Sequence, residues 1–296
     1  MKEFERLKML EYPQGKIDIV IDTDAATEAD DPFAIAYALC SGERMNIKGI
    51  YAAPFSMNEK TNDPKKGMEM SYAEILRILE LCGENKKKIA FRGAAGYGAP
   101  QKSEAVEHLI ALSENYNREN PLYVAAIGAI TNIATAILLE PGIIDRMVLV
   151  WLAGNDFNDS PNVYNIYQDV TSAQIIFDSG VPLIHVPCNY VTSHLITGVP
   201  ELETCIGGKN ELCNHLVEMV KEYGNNHYAW GKQIWDIGVI GYLMKEEFGS
   251  CEIVSAPILT DNITWSRDYR RHLIKNVKEI NRDCIFRDMY QKLAAI

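Results

Sequence analysis

Short apolar runs alternate with helix-like stretches along the chain up to about residue 190. The apolar runs are 16–22, 46–54, 88–93, 121–130, 145–154 and 182–188, and the helix-like stretches between them are 31–39, 67–83, 103–115, 131–140 and 171–180. Such alternation is typical of a parallel sheet that is covered by helices on both faces. The pattern therefore predicts an α/β protein with an open, mostly parallel, Rossmann-like sheet.

After about residue 200 the pattern becomes mainly helical. The predicted helices are 211–224, 235–249 and 282–293, and 252–259 is predicted as a late edge strand. The sequence contains no linker-like stretch, internal repeat or low-complexity block. We therefore predict a single domain over residues 1–296, with a helical C-terminal part.

The composition and net charge of the chain disfavour several classes of binding partner. The chain has 296 residues and a formal net charge of −11, which disfavours a nucleic acid or an anionic membrane as partner. Its start, MKEFERLKML, lacks the apolar core of a secretory signal, and no run approaches the roughly 18 apolar residues that span a bilayer. Seven scattered cysteines without a C-x-x-C pair fit reduced thiols and disfavour a zinc site. We therefore expect a cytoplasmic protein.

Five acidic side chains lie within the eleven positions of 21–31, directly after the first apolar run. In open parallel sheets, sites form beyond the carboxyl ends of the strands. Asp22 and Asp24 lie at the end of the first predicted strand, and Asp30 and Asp31 lie at the start of the next helix. The preference of helix N-termini for acids explains the second pair but not the first. Clustered carboxylates repel one another, and a hard divalent cation such as Ca²⁺ or Mg²⁺ removes that cost.

Four segments, in the same order, resemble motifs of the nucleoside hydrolase superfamily. They are IDTDAATEADD, YVAAIGAITNIATAI, YNIYQDVTSAQIIFDSGVPL and IWDIGVIGYL, which together cover roughly residues 16–245. The acidic segment departs from the family pattern D-x-D-P-G-x-D-D by two extra residues, and Ala25 and Ala26 replace Pro-Gly. It fits the longer variant D-T-D-x-x-x-[DE]-x-D-D. The resemblance implies the nucleoside hydrolase fold and an N-ribohydrolase activity.

The resemblance also implies one Ca²⁺ ion at the base of a ribose pocket. Matched by position, Asp24, Asp31 and Asp236 supply carboxylate ligands. The backbone carbonyl of Ile127 supplies a further oxygen, and Asp22 orients the ligands from behind.

Asp30 matches the general base of the family, which takes a proton from a water held by the ion. The N-glycosidic bond of a ribonucleoside or a related N-riboside then breaks, giving ribose and the free base. Nearby negative charge stabilises the oxocarbenium-like transition state. By the same resemblance, we expect a homodimer or homotetramer with a role in purine or pyrimidine salvage.

Residues expected to contact the sugar come from the third segment. Asn165 matches the ribose-binding asparagine of the family, and Tyr164 before it keeps an aromatic wall. Val163 replaces a glutamate that holds a sugar hydroxyl in many members. Asn155, directly after a predicted strand end, is a further candidate for contact with the substrate.

The identity of the leaving-group acid and of the nucleobase stays open at this stage. Trp235 stands where the family often has a histidine, and an indole can stack on a base but gives up no useful proton. His194 and His227 are the candidate acids in its place, and the aromatic segment around His227 suits a flat base. Ser56 lies near the position of a family asparagine that follows the second strand.

Two other functions are weighed against this hypothesis. VIDTDAAT nearly fits the D-x-D-x-[TV] motif of haloacid-dehalogenase-type phosphatases, with Asp22 as nucleophile and Asp24 as acid. However, Ala26 occupies the position of the required Thr or Val. A catalytically silent ligand-binding homologue is suggested by the replaced sugar-binding and acid residues. The retention of Asp30 beside the other carboxylates argues against such a homologue.

Overall fold

The computed structural model describes residues 1–83, 87–224 and 226–296, and a central sheet runs through the protein. The strands are β1 (Ile17–Thr23), β2 (Met45–Ala52), β3 (Ala90–Arg92), β4 (Leu122–Ala126), β5 (Met147–Leu152), β6 (Leu183–Val186), β7 (Ile196–Thr197), β8 (Lys232–Gln233), β9 (Gly249–Ser255), β10 (Ile258–Leu259), β11 (Trp265–Ser266) and β12 (Leu273–Ile280). The main sheet has the order β3-β2-β1-β4-β5-β6-β12-β9, while β7 pairs with β8 and β10 with β11. Among the described strands of the main sheet, the β12–β9 pair is antiparallel and the other pairs are parallel. The predicted open, mostly parallel sheet is therefore confirmed.

Helices cover both faces of this sheet. The α-helices are α1 (Glu3–Met9), α2 (Asp31–Leu39), α3 (Pro64–Leu81), α4 (Glu104–Ser113), α5 (Thr131–Leu139), α6 (Tyr164–Tyr167), α7 (Val170–Ser179), α8 (Val199–Cys205), α9 (Glu211–Tyr223), α10 (Ile237–Met244) and α11 (Arg282–Leu293). Because side chains alternate along a strand, Ile19 and Ile21 pack in one buried cluster with α2, α3 and α10, while Val20 packs in the other with α4, α5 and α7. Within the described residues, no helix combines the length and apolar character that a membrane crossing requires.

The C-terminal part holds one long strand that the hydrophobic pattern did not predict. Strand β12 lies between β6 and β9, although its sequence LIKNVKEI is rich in polar residues. Its buried Asn276 is accommodated because it bonds to a ring nitrogen of His185 on β6 at 2.8 Å. The predicted edge strand over 252–259 begins earlier, as the antiparallel strand β9, and ends before the separate strand β10.

Helix α2 begins at the acidic pair. Asp30 occupies the cap position and Asp31 is the first helical residue. The Asp30 side chain makes no capping hydrogen bond. Both carboxylates instead face the cavity described below, together with Asp236.

The strand order places a crevice beside β1. Strand β1 pairs with β2 on one side and with β4 on the other, so the winding of the chain reverses at this point. In open α/β sheets, ligands bind at such a reversal, outside the carboxyl ends of the strands. The end of β1 at Thr23 and the end of β4 at Ala126 both lie there.

Candidate active site

Three carboxylates from two distant parts of the chain meet beyond the end of β1. Oxygen atoms of Asp30, Asp31 and Asp236 all lie within 4.8 Å of one another. Asp30 and Asp31 come from the start of α2, and Asp236 precedes α10. All three residues are at most 4% exposed. The structure thus brings the late aspartate of the chain to the early acidic cluster.

Threonine hydroxyls fix two of the cavity carboxylates in place. Thr23 Oγ1 donates to Asp31 Oδ1 at 2.5 Å, and Thr27 Oγ1 donates to Asp24 Oδ2 at 2.9 Å. Asp24 lines the same cavity as the three clustered carboxylates. Neither threonine was singled out in the sequence, because a threonine in an acidic loop carries no chemical signal by itself.

Burial and mutual repulsion set the charge state of this cluster. Burial raises the pKa of Asp24 to about 7. Burial, followed by repulsion from neighbouring carboxylates, holds the pKa values of Asp31 and Asp236 well above the ordinary range. Oxygen atoms of the Asp236 carboxyl lie within 4.8 Å of those of Asp30 and Asp31. Carboxylates in such contact keep protons or take a cation between them, and their hard oxygen atoms suit a divalent metal ion.

Asp22 lies behind the cavity. It is fully buried, and its Oδ1 accepts a hydrogen bond from Asn132 Nδ2 at 2.7 Å. Its Oδ2 has no hydrogen-bond partner among the described residues. Burial raises the pKa of Asp22 to about 7. Asn132 was not predicted, and it also holds the loop after β3 by accepting from Ala94 N at 2.8 Å.

A cavity of about 310 Å³ opens above the carboxylates. Ile127 lines it, and the Ile127 carbonyl accepts from Asn165 Nδ2 at 3.0 Å. The same amide group donates to the Leu152 carbonyl, also at 3.0 Å. The predicted ribose residue and the predicted carbonyl ligand are therefore neighbours in the same cavity.

An aromatic and apolar wall faces the acidic end of this cavity. It contains Tyr164 and Trp235, together with Leu152, Val163 and Cys188. The Tyr164 hydroxyl donates to the Ser56 carbonyl at 2.7 Å and accepts from Asn58 Nδ2 at 3.1 Å. Ser56 thus helps to hold Tyr164 and is absent from the residues that line this cavity.

The structure does not bring the two candidate histidines to the cavity. His194 bonds through Nε2 to the Ile280 carbonyl at 2.7 Å, beside a different surface pocket. His227 packs edge-on against Trp230, with their ring centroids 5.4 Å apart. Neither residue lines the cavity, so the prediction of a histidine acid at these positions gains no support from the geometry.

Asn155 is close to the cavity but faces its own loop. Its Nδ2 donates to the Ser160 carbonyl at 2.7 Å, and its Oδ1 accepts from Asn189 N at 2.9 Å. Asn189 lines the cavity and Asn155 does not. Asn155 therefore positions a neighbouring residue, where the sequence suggested a direct contact with the substrate.

Lys232 is a residue of this site that the sequence did not reveal. It is 3% exposed, and its Nζ lies 2.6 Å from Glu28 Oε2 and 3.8 Å from Asp30 Oδ1. The short β7–β8 pair carries Lys232 to this position from more than 200 residues along the chain. A lone lysine in a polar and aromatic segment gives no periodic or motif signal, so only the tertiary structure identifies it.

The chain matches one family model and several known protein sequences. The family model described as "Inosine-uridine preferring nucleoside hydrolase" matches residues 19–283. The uncharacterized protein C1683.06c of Schizosaccharomyces pombe is 24% identical over 273 residues, which are 82% of this chain and 85% of that protein. The pyrimidine-specific ribonucleoside hydrolase RihB of Escherichia coli is 25% identical over 136 residues. That match covers 44% of each chain, so less than half of RihB is matched.

Solved structures share the fold. A plant nucleoside hydrolase, PpNRh1, has a TM-score of 0.74 at 18% identity, with 95% of this chain and 99% of that chain covered. The purine-preferring ribonucleoside hydrolase from Gardnerella vaginalis has a TM-score of 0.76 at 18% identity, with 94% and 98% covered.

We predict that the stabilisation by a divalent ion increases with pH. The raised pKa values mean that the metal-free folded protein holds protons that the unfolded chain has lost above about pH 4. The metal-free protein therefore loses stability as pH rises from there through about 7, the pKa of Asp22 and Asp24. A bound cation favours the ionised carboxylates. The difference in Tm between CaCl₂ and a chelator should thus grow between about pH 5 and 8, as scanning calorimetry can measure. An equal difference at both pH values would contradict this charge state.

We also predict that Gly128→Ala weakens the binding of a divalent ion. A Cβ at Gly128 would lie 2.9 Å from Asp24 Oδ1 and 3.1 Å from Asp24 N, so the Asp24 carboxylate must shift. The Kd for Ca²⁺, measured by titration calorimetry, should rise at least about tenfold. Gly42→Ala is the matched control, since a Cβ there has nothing within 4 Å. If both variants bind Ca²⁺ as the parent does, Asp24 is not a ligand.

Proposed function

The chain belongs to the inosine-uridine preferring nucleoside hydrolase family, and from this premise we propose that it hydrolyses the N-glycosidic bond of ribonucleosides or related N-ribosides with the aid of one Ca²⁺ ion. Family members are enzymes that act on N-glycosyl compounds. The observation that best supports the proposal is the meeting of Asp30, Asp31 and Asp236 in one buried cluster at the strand reversal. Asp24 and Ile127 line the same cavity.

The donor set fits a calcium ion. Asp24, Asp31, Asp236 and the carbonyl of Ile127 would hold it, because all of them offer hard oxygen atoms. No nitrogen or sulfur ligand from the described residues joins the acidic cluster, which disfavours a zinc-type site. When bound, the ion supplies positive charge that attracts oxygen groups of the sugar and lowers the cost of removing a proton from water.

Each residue of the site would then have its own role in the reaction. Asp30 accepts the proton of the attacking water as the water oxygen forms its bond to the anomeric carbon. The bond from that carbon to the base nitrogen breaks, and its electron pair leaves with the base. The carboxylates stabilise the positive charge that develops on the sugar. Asn165 would orient the ribose, and Tyr164 and Trp235 would limit its position from the wall of the cavity.

Two further parts of the proposal concern the whole molecule. We propose that residues 1–296 form one domain, since the two buried clusters lie against the same sheet. We also propose a homodimer or homotetramer in the cytoplasm, by analogy with the family. Light scattering of the purified chain would test the oligomeric state.

Replacing Asp30 by Asn should abolish turnover while Ca²⁺ still binds. The amide keeps the size of the side chain but cannot accept the proton, so kcat should fall by roughly 10²–10⁴. The assay follows ribose release from a panel of nucleosides, and calorimetry measures the Kd for Ca²⁺. Asp261→Asn, at an exposed position, is the control variant.

Each result of this experiment has a definite meaning. Unchanged turnover in Asp30→Asn would rule out Asp30 as the base. Loss of both turnover and Ca²⁺ binding would make Asp30 a ligand and not the base. A parent protein that binds Ca²⁺ and hydrolyses no riboside of the panel would contradict the proposed activity.

A further inference from the structure

A second cavity joins the first at the pocket mouth. The two share Thr27, Glu28 and Tyr164 in their walls, so a ligand seated over the carboxylates extends directly from one into the other. The second cavity has a volume of about 740 Å³ and also contains Tyr167 and Tyr223. We name it the vestibule. A group attached to the anomeric carbon of a bound ribose would enter it.

Tyrosine rings line the vestibule. Tyr164 and Tyr167 pack edge-to-face with their centroids 5.3 Å apart, and the Tyr164 hydroxyl is fixed by the Ser56 carbonyl. Tyr167 and Tyr223 are 37% and 45% exposed, so parts of their rings remain open to a ligand. Lys232 Nζ already lies over the Tyr223 ring, 5.0 Å from its centroid, so the rings open to a ligand cation are those of Tyr164 and Tyr167.

Carboxylates dominate the charge of the vestibule. Glu28, Glu59 and Glu222 line it, against the single lysine Lys60 among the described residues of its wall. The Lys60 ammonium donates to the Ala26 carbonyl at 2.6 Å. The vestibule therefore presents acidic and aromatic groups together, which is the combination that recognises an organic cation.

Glu28 forms an ion pair with Lys232 at the junction of the two cavities. Lys232 Nζ lies 2.6 Å from Glu28 Oε2. The Glu28 side chain is still 39% exposed. A carboxylate has about four acceptor directions, so Glu28 keeps the capacity to face a ligand while Lys232 holds it.

No histidine is among the described residues that line the two cavities, so none stands ready to protonate a leaving group. Trp235, which lines the first cavity, has no titratable proton. Burial raises the pKa of the Cys188 thiol to about 12, and burial also raises the pKa of Tyr164. A neutral base must take up a proton as it leaves, or it departs as an anion. A quaternised base departs as a neutral molecule and needs no proton.

We propose that the vestibule selects N-ribosides whose leaving group is a cationic heteroaromatic ring, such as a pyridinium or an N-alkylated purine. This inference rests on the proposed function, because it assigns the substrate class of the same site. In the reaction, the bond between the anomeric carbon and the cationic nitrogen breaks, and its electron pair neutralises the ring. Water adds hydroxide to the anomeric carbon, and its other proton passes to Asp30.

The test compares cationic and neutral substrates in the full chain with Ca²⁺. The substrates are the pyridinium riboside of nicotinamide, uridine and inosine, and kcat/KM is measured for each. The bond to a pyridinium leaving group is also weaker in water, so a higher kcat/KM for the cationic substrate is not decisive by itself. The decisive quantity is the change in the ratio of cationic to neutral kcat/KM when Glu28 is replaced. Glu28→Gln should lower the ratio of cationic to neutral kcat/KM by about five- to tenfold. Glu114→Gln, at an exposed position after α4, should leave the ratio unchanged.

A binding measurement removes the dependence on turnover. N-methylnicotinamide, a cation, should bind the parent at least about fivefold more tightly than neutral nicotinamide, as measured by calorimetry. Glu28→Gln should reduce this preference. Glu222→Gln, on the exposed rim, serves as a second variant in case Glu28→Gln melts below the parent.

The outcomes separate the two proposals. If neutral nucleosides are hydrolysed and Glu28→Gln leaves the ratio unchanged, the vestibule inference is overturned and the proposed function stands. If no riboside is hydrolysed, the proposed function fails, and the preference for N-methylnicotinamide still decides the vestibule inference. Equal binding of the cation and the neutral amide would overturn it.

Discussion

Repulsion among buried carboxylates is the constraint on which the rest of the site depends. Asp30, Asp31 and Asp236 approach within 4.8 Å in a place that water hardly reaches. Such an arrangement costs free energy unless protons or a cation neutralise it. This free-energy cost arises where the winding of the chain reverses between β1 and β4. Hydrogen bonds from Thr23 and neighbouring groups hold the oxygen atoms in position.

The parallel sheet explains how this cost is sustained. The strands that carry the site are buried on both faces, and their ends are fixed by pairing on either side. Asp22 adds a further buried carboxylate behind the cavity, tied to Asn132 on α5. Lys232 offsets part of the charge next to Asp30 and Glu28, on the side of the cavity that opens to the vestibule. In the proposed function, one end of the site would hold a metal ion and the other would face the departing group.

The sequence predicts the fold well because its strands are apolar and short, whereas β12 escapes prediction since Lys275, Asn276 and Lys278 hide its two-residue period. The clustering of Asp24, Asp30 and Asp31 was predicted from their positions at a strand end and a helix start, and Asp236 was added by the resemblance to a known family. Lys232 was missed because its role comes from a contact across the fold.

His194 and His227 were chosen for their chemistry, and the structure gives them other partners. Local patterns thus predict which residues are able to act, and tertiary contacts decide which of them face the cavity. The measurement that tests this account most directly is a crystal structure grown with Ca²⁺ and a ribose-like iminosugar. The account predicts one ion at about 2.3–2.6 Å from oxygen atoms of Asp24, Asp31 and Asp236, with the sugar analogue above it. An ion bound elsewhere, or a cavity that holds the sugar with all three carboxylates turned away from any ion, would contradict it.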